Sequence, residues 1–277
     1  MRQIGLVLKR GDKEALVLAR EICERVIQSG RRVLVEPVLA DLADQWHAEV
    51  SQKIGDEADL LVVLGGDGTM LRAAALLNAK RTPVMGVNLG RVGYMAEVSP
   101  QEAVSTLEAV FAGKAVCVER MLLQVTAPDE RPRRVLNEVV VHWGRIARLL
   151  ELGIKVGDSR EIELRADGLI VSTPVGSSAY SYAANGPLVH PDVEGILLTP
   201  ICPFAGLRRP LLVPPDVEIT LLLRTGEELM LTLDGHTIIP VRTGQSIHIR
   251  RAVLPMIMMR LTHTDYFDIL REKLAFL

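Results

Sequence analysis

Three glycines surround one carboxylate in Gly65-Gly66-Asp67-Gly68-Thr69, between the apolar run Leu60–Leu64 and the helical pattern Leu71–Leu77. Glycines let the main chain approach an anion closely and aim N–H groups at it, and a following helix N-terminus adds its positive end. The loop is therefore suited to phosphate. It is neither a P-loop, lacking G-K-[ST], nor a G-x-G-x-x-G dinucleotide turn. Asp67 is the unusual member, because a carboxylate repels phosphate unless it holds Mg²⁺ or takes the proton of an attacking hydroxyl. Both tasks belong to phosphoryl transfer. A tight strand–helix turn with a solvated Asp is the plain alternative.

Two further constellations lie downstream. Asp167-Gly168-Leu169-Ile170-Val171-Ser172-Thr173-Pro174-Val175-Gly176-Ser177-Ser178-Ala179-Tyr180-Ser181 runs from an apolar strand into a loop of small hydroxylated residues, and continues to Asn185-Gly186-Pro187. Small residues beside Gly can floor a flat heterocycle, and Tyr180 offers an aromatic face. Asn137-Glu138 interrupts the apolar run Val135–His142, which reads as one strand. A polar pair there suggests a buried polar contact, and a diol such as a ribose both donates and accepts. An edge strand with one of the two facing water is the alternative.

The elements that must position these residues change in character along the chain. Up to about residue 115, strands alternate with helices: Ile4–Leu8, a helix over Lys13–Gln28, Arg32–Glu36, Leu60–Leu64, Pro83–Val87, and a helix opened by Ser99-Pro100-Gln101-Glu102 in capping-box spacing. Leu60–Leu64 is continuously apolar, as a strand buried on both faces of a parallel sheet must be. This pattern predicts βαβ units. From Glu119 to about Arg260, short β-type runs follow one another with turn signals between them. Asp234-Gly235 reads as a two-residue hairpin turn. The expected domains are 1–118, α/β; 119–260, β-rich; and 261–277, a helical segment returning to the first.

Composition narrows the function classes. The 277 residues correspond to roughly 1.8 average domains. At 48% hydrophobic and 24% charged the chain is globular. The net charge of −2 argues against a general binder of nucleic acid or anionic membrane, and 4% aromatics against a base-stacking platform. Cys23, Cys117 and Cys202 form no C-x-x-C pair, and the six histidines form no H-E-x-x-H, so no fixed protein metal site is expected. No apolar run approaches the roughly 18 residues of a membrane span. The N-terminal apolar stretch is short and followed at once by charge, which reads as a first strand; a cytoplasmic protein is expected.

Taken together, the three elements resemble the NAD kinase family, whose marks are a GGDGT loop, an NE dipeptide, a DGLIVSTPTGSTAY-like stretch and PICP before RP. Here they are Gly65–Thr69, Asn137-Glu138, Asp167–Tyr180, Pro200-Ile201-Cys202-Pro203 and Arg209-Pro210. Gly86-Val87-Asn88-Leu89-Gly90 and Gly93-Tyr94 also look like the family's pattern. The resemblance implies an α/β N-terminal domain with a mostly parallel sheet, a β-sandwich-like C-terminal domain, and a homo-oligomer, dimer or tetramer. It implies ATP-dependent phosphorylation, with Mg²⁺ accompanying ATP, of the adenosine-ribose 2′-hydroxyl of NAD. Asp67 would be the catalytic base, and Gly65, Gly66, Gly68 and Thr69 the phosphate cradle. Asn137 and Glu138 would hold dinucleotide hydroxyls, Asp167 the nicotinamide end, and Ser178, Ala179 and Tyr180 the adenine side, extended by Ser181, Tyr182 and Ala183. Arg148, Arg165 and His236 fall where the family places further dinucleotide contacts. Arg165 and Asp167 are two apart, and alternate strand positions share a face, so both side chains are expected to reach one pocket.

Val175 and Ser178 stand in place of two threonines, Ala183-Ala184-Asn185 in place of S-A-G, Phe204 in place of His, and His236 in place of Gln. A lipid kinase shares the glycine loop but needs a membrane-binding surface or an apolar channel, of which the sequence carries no sign. A non-catalytic dinucleotide sensor gains little from a carboxylate near phosphate.

Overall fold

A computed structural model describes residues 1–77, 80–90, 95–128, 130–144, 149–225, 228–261 and 265–274. It divides into two compact units, residues 1–119 with 256–277, and residues 120–255.

The first unit is built on a seven-stranded sheet. In spatial order its strands are Glu49–Val50, Arg32–Val35, Gln3–Leu8, Leu60–Gly65, Val84–Asn88, Met256–Arg260 and Val116–Arg120. The contacts from Glu49–Val50 through Met256–Arg260 are all parallel. Leu60 to Leu64 have no exposed surface at all, as expected of a strand covered on both faces. One face packs on helix Lys13–Gln28 through Ala15, Leu18, Ala19, Ile22, Cys23 and Val26. Asp12 caps that helix by accepting from the backbone N–H of Glu14 and Ala15. Ser99 does not cap as the capping-box spacing predicts: its hydroxyl donates to Glu102 Oε2 at 2.6 Å, and the helix proper is Ala103–Phe111.

The second unit is a sandwich of antiparallel sheets. A seven-stranded sheet has the order Ala205–Gly206, Ile162–Ala166, Leu150–Val156, Ile219–Leu223, Ser246–Arg251, Leu123–Thr126, Arg133–Val135. A six-stranded sheet has the order Leu211–Val213, Ile196–Ile201, Gly168–Ser172, Glu138–Trp143, Leu229–Leu233, Thr237–Val241. Leu152, Ile154, Ile219 and Leu221 from one sheet share a core with Val139, Val141, Leu169, Val171 and Leu231 from the other. The α/β unit and the β-sandwich unit are those the sequence implies.

Three details differ from the sequence reading. Residues 135–142 are not one strand, because Arg133–Val135 lies in one sheet and Glu138–Trp143 in the other. Strand Met256–Arg260 pairs with Val84–Asn88 in the first unit, although it falls inside the β-rich stretch ended at 260. Its run of apolar residues, Met256 to Met259, carries no mark of which sheet it joins. The turn after Leu229–Leu233 has three residues, with Leu233 opposite Thr237. No helix of the described residues is long and apolar enough to cross a membrane.

Gly55, in helix Ile54–Glu57, supports the C-terminal end of helix Asp67–Leu76. A Cβ at Gly55 would lie 2.0 Å from the carbonyl oxygen of Leu76. Two backbones cannot both yield, so Gly55→Ala should destabilise by about 1–3 kcal/mol. Urea unfolding measures it, and an unchanged midpoint would show that this crossing has slack.

Candidate active site

In the first unit, strand Gln3–Leu8 pairs with Arg32–Val35 on one side and Leu60–Gly65 on the other. The chain's connections diverge there, and open α/β sheets bind ligands beyond the carboxyl ends of strands at such a switch point. The segment after the first strand and the glycine loop flank this place, tied by the Lys9 N–H donating to Leu64 O at 2.8 Å. A Cβ at Gly65 would meet Thr69 Oγ1 at 2.2 Å, so only glycine fits under buried Thr69. At Gly66 and Gly68 no atom lies within 4 Å of a Cβ position, leaving their backbone open to a ligand.

Helix Asp67–Leu76 starts immediately after Gly66. Its first N–H groups lack intrahelical acceptors, and its positive end favours an anion. Asp67 is the first helical residue, half-buried, and its Oδ1 accepts the backbone N–H of Met95 at 3.1 Å. Arg72 donates from Nη2 to Leu8 O at 2.6 Å and to Glu36 Oε2 at 2.9 Å. Burial raises the Glu36 carboxyl, with the charges of Arg72 and Arg10 acting the other way. The sequence does not single out Arg72 or Glu36, because their pairing spans 36 residues.

In the second unit the structure brings together Asn137-Glu138, the 173–180 segment and the 234–236 turn. Between Val135 and Glu138 the chain passes from one sheet to the other, so its peptide groups leave both ladders. Asp234 takes up the donors: its carboxylate accepts from the N–H of Leu136 at 2.9 Å, Asn137 at 2.7 Å and Glu138 at 3.2 Å. Thr173 takes up the acceptors, with Oγ1 donating to Leu136 O at 2.6 Å and its N–H to Asn137 O at 2.9 Å. Gly176 then packs directly on Asn137, where a Cβ would come within 2.1 Å of the Asn137 carbonyl oxygen. The backbone N–H of Tyr180 favours the charged form of Glu138. Asn137 Oδ1 and Glu138 Oε2 are buried without a hydrogen-bond partner, as is the hydroxyl of Ser172, which lies opposite Glu138 in the ladder. Buried polar atoms left unpaired beside one another are what a hydroxyl-bearing ligand would satisfy.

The remaining expected residues are placed as follows. Ser178 Oγ donates to Val175 O at 3.2 Å, and Ala179 precedes the short helix Tyr180–Ala183. Tyr180, Tyr182 and Ala183 are exposed, while Ser181 is buried with its hydroxyl against Thr199 Oγ1 at 2.8 Å. His236 Nδ1 lies 2.9 Å from Asp234 O in the turn. Arg148 and Gly93-Tyr94 lie outside the described residues.

Arg165 and Asp167 do not share a face. Strand Ile162–Ala166 ends before Asp167, and Gly168 opens a strand of the other sheet. Arg165 pairs with Glu151 at 3.0 Å and its guanidinium lies 5.6 Å from the Phe204 ring centre. Exposed Asp167 lies at the opposite end of strand Gly168–Ser172 from Glu138, roughly 17 Å along the chain. The sequence misses Asp234. Its one signal, an Asp-Gly turn, fits the positive φ of 47° and 70° at Asp234 and Gly235 but says nothing of where the carboxylate points.

Comparison with known proteins adds independent findings. Residues 4–115 match the family described as ATP-NAD kinase N-terminal domain, and residues 136–261 the ATP-NAD kinase C-terminal domain. The NAD kinase of Geotalea daltonii is 38% identical over 279 residues, covering 99% of this chain and 98% of its own. That of Methanothermobacter thermautotrophicus is 36% identical over 275 residues, covering 99% and 96%. Yeast NADH kinase, solved with NADH, superposes with a TM-score of 0.89 at 26% identity, over 100% of this chain and 88% of that one. An Archaeoglobus fulgidus NAD kinase solved with ATP shares the fold, with a TM-score of 0.76 at 24% identity over 98% and 99%.

Burial, reinforced by the negative charge of Asp234, pushes the Glu138 carboxyl from about 4.5 up to about 8, against the pull of the Tyr180 N–H. Between these values the folded protein keeps a proton that the unfolded chain has released, so stability falls as pH rises through the interval and levels off above it. Glu138→Gln has no proton to lose. Thermal midpoints of the unliganded proteins from pH 5 to 9 should fall less steeply for the variant than for the unmodified protein. Parallel curves would show that Glu138 is charged in the fold throughout.

Proposed function

The chain belongs to the ATP-NAD kinase family, and on that premise we propose that Asp67 is the base that activates the 2′-hydroxyl of NAD. The reaction is transfer of the γ-phosphoryl of ATP to the adenosine ribose of NAD, giving NADP and ADP. Asp67 takes the hydroxyl proton as the ribose oxygen bonds to the γ-phosphorus. The bond from that phosphorus to the β–γ bridging oxygen breaks, and ADP leaves with the electron pair. The observation that carries this reading is the placement of Asp67: first residue of a helix, at the carboxyl edge of the sheet, between two glycines whose backbone is open. A proton acceptor there faces the charge that develops at phosphorus, and the helix N-terminus and glycine amides are donors for the phosphoryl oxygens.

Asn137 and Glu138 hold hydroxyls of the dinucleotide in this reading, supported by their buried, unpartnered side-chain oxygens. Ser178 to Ala183 serve the adenine side, and His236, Arg165, Asp167 and Arg148 remain dinucleotide contacts. Among the described residues no three His, Cys, Asp or Glu side chains are grouped to hold a metal ion. The divalent cation that accompanies ATP would balance the charge of its phosphates, and Asp67 is the carboxylate at the cradle suited to ligate it. The enzyme works in the cytoplasm as a homo-oligomer, the latter supported by exposed apolar side chains such as Phe204 and Ile238.

Incubation with MgATP and NAD, followed by an NADP-specific dehydrogenase, should reveal NADP. Asp67→Asn should lower kcat by about 10²-fold or more with little change in NAD affinity, since the loss lies in the transition state. Near-normal kcat would sink the base assignment. Glu138→Ala should weaken NAD binding by roughly 1–3 kcal/mol in calorimetry on the folded variant. Unchanged affinity would return Asn137-Glu138 to a purely structural role.

A further inference from the structure

The backbone N–H that Asp67 accepts comes from Met95, in a buried segment, residues 95–98, that runs beside strand Val84–Asn88. Val98 bridges to Val87 in parallel, with its N–H donating to Gly86 O at 3.1 Å and its carbonyl accepting from Asn88 N–H at 2.8 Å. Gly86 allows the approach, since a Cβ there would lie 3.1 Å from the Ala96 Cα. On the side toward helix Tyr266–Leu274 the segment borders a cavity of about 340 Å³, lined by Asn88, Glu97, Ser99, Pro100, Ile269 and Glu272, so packing does not fix it from there. Glu97 adds an ionic attachment. Both of its carboxylate oxygens accept from Arg260 Nη1, at 3.0 and 3.1 Å, and both side chains are 13% exposed.

Arg260 ends strand Met256–Arg260, two residues beyond Met258, which lies opposite Val84. It meets Glu97 where the 95–98 segment takes up hydrogen bonding along strand Val84–Asn88. Glu97 is two residues from Met95, whose N–H Asp67 accepts. A charged pair this buried holds its geometry, because parting it would leave both charges uncompensated.

We propose that the Arg260–Glu97 pair is a positioning clamp for Asp67, holding the Met95 N–H so that the carboxylate keeps its aim. This rests on the reading of Asp67 as the base. A misplacement of about 1 Å at a reacting group can lower a rate by about 10²-fold.

The test compares Arg260→Met, Arg260→Lys and the double variant Glu97→Leu/Arg260→Met in kcat, KM for NAD, NAD affinity by calorimetry and thermal midpoint. Arg260→Met should lose about tenfold or more in kcat, with KM for NAD and NAD affinity within about twofold. Arg260→Lys, which keeps the charge, should retain a larger share of kcat. The double variant removes both charges, so its thermal midpoint should return toward that of the unmodified protein while kcat stays low. Recovery of kcat together with stability would overturn the proposal, as would unchanged kcat in Arg260→Met. In an Asp67→Asn background, adding Arg260→Met should cause little further loss, since both act through one group. A full second loss there, with Asp67→Asn itself strongly impaired, would overturn the clamp and leave the base reading standing. Normal turnover by Asp67→Asn alone would overturn that reading, and the clamp with it.

Discussion

One carboxylate, that of Asp234, makes the second unit's candidate site possible. A chain that crosses between two sheets must abandon both ladders, and buried peptide groups without partners are costly. Asp234 receives three successive N–H groups at this crossing, and Thr173 supplies both carbonyls with donors. With its backbone so held, the crossing can turn the polar Asn137 and Glu138 side chains into the interior. The same carboxylate sets the electrostatics. It lies close enough to raise the Glu138 carboxyl further than burial alone, and three N–H donors resist the burial that raises its own. Structural support and the chemistry of the candidate binding groups are thus one arrangement.

The candidate anion site of the first unit is built by different means. There the donors belong to backbone: open glycines and the first turn of a helix, presented at the place where the strand order diverges. Only one side chain of the loop, Asp67, carries charge. Its neighbours must therefore be small enough to leave the backbone accessible, and Gly65 must be glycine for a second reason, the packing of Thr69 beneath it. Backbone donors on a buried strand and helix need no side-chain ordering when a ligand arrives, which suits an electrostatic role at a reacting phosphoryl.

Much of this was legible in the sequence, and the omissions share a cause. Leu60–Leu64 reads correctly because burial on both faces leaves no polar interruption, and Lys13–Gln28 because its apolar stripe and Asp12 cap are local signals. Asn137-Glu138 stands out as polar residues in an apolar run. What remains hidden is long-range. Asp234 meets its partners 96 to 98 residues away, and Arg260 meets Glu97 across 163. Period-2 patterning fixes which face a side chain takes but not which sheet its strand joins. That single gap produced the unbroken 135–142 strand, the shared face of Arg165 and Asp167, and the assignment of Met256–Arg260 to the β-rich stretch.

The sequence's departures from its family can be weighed by the atoms the structure uses. Val175 lacks a hydroxyl, yet what Ser178 bonds is the Val175 carbonyl, which any residue supplies, and the Gly176 N–H is taken by Thr173 Oγ1. Phe204 is exposed and stands beside Arg165. His236 reaches the carbonyl of Asp234, not its carboxylate, so the three N–H bonds at the crossing do not depend on it. The groups whose loss would unravel the crossing, Thr173, Gly176 and Asp234, all hold their places by contacts under 3 Å or by the absence of a Cβ. The departures at Val175, Phe204 and His236 thus fall where backbone atoms or solvent take the contact rather than where a side chain has a buried partner.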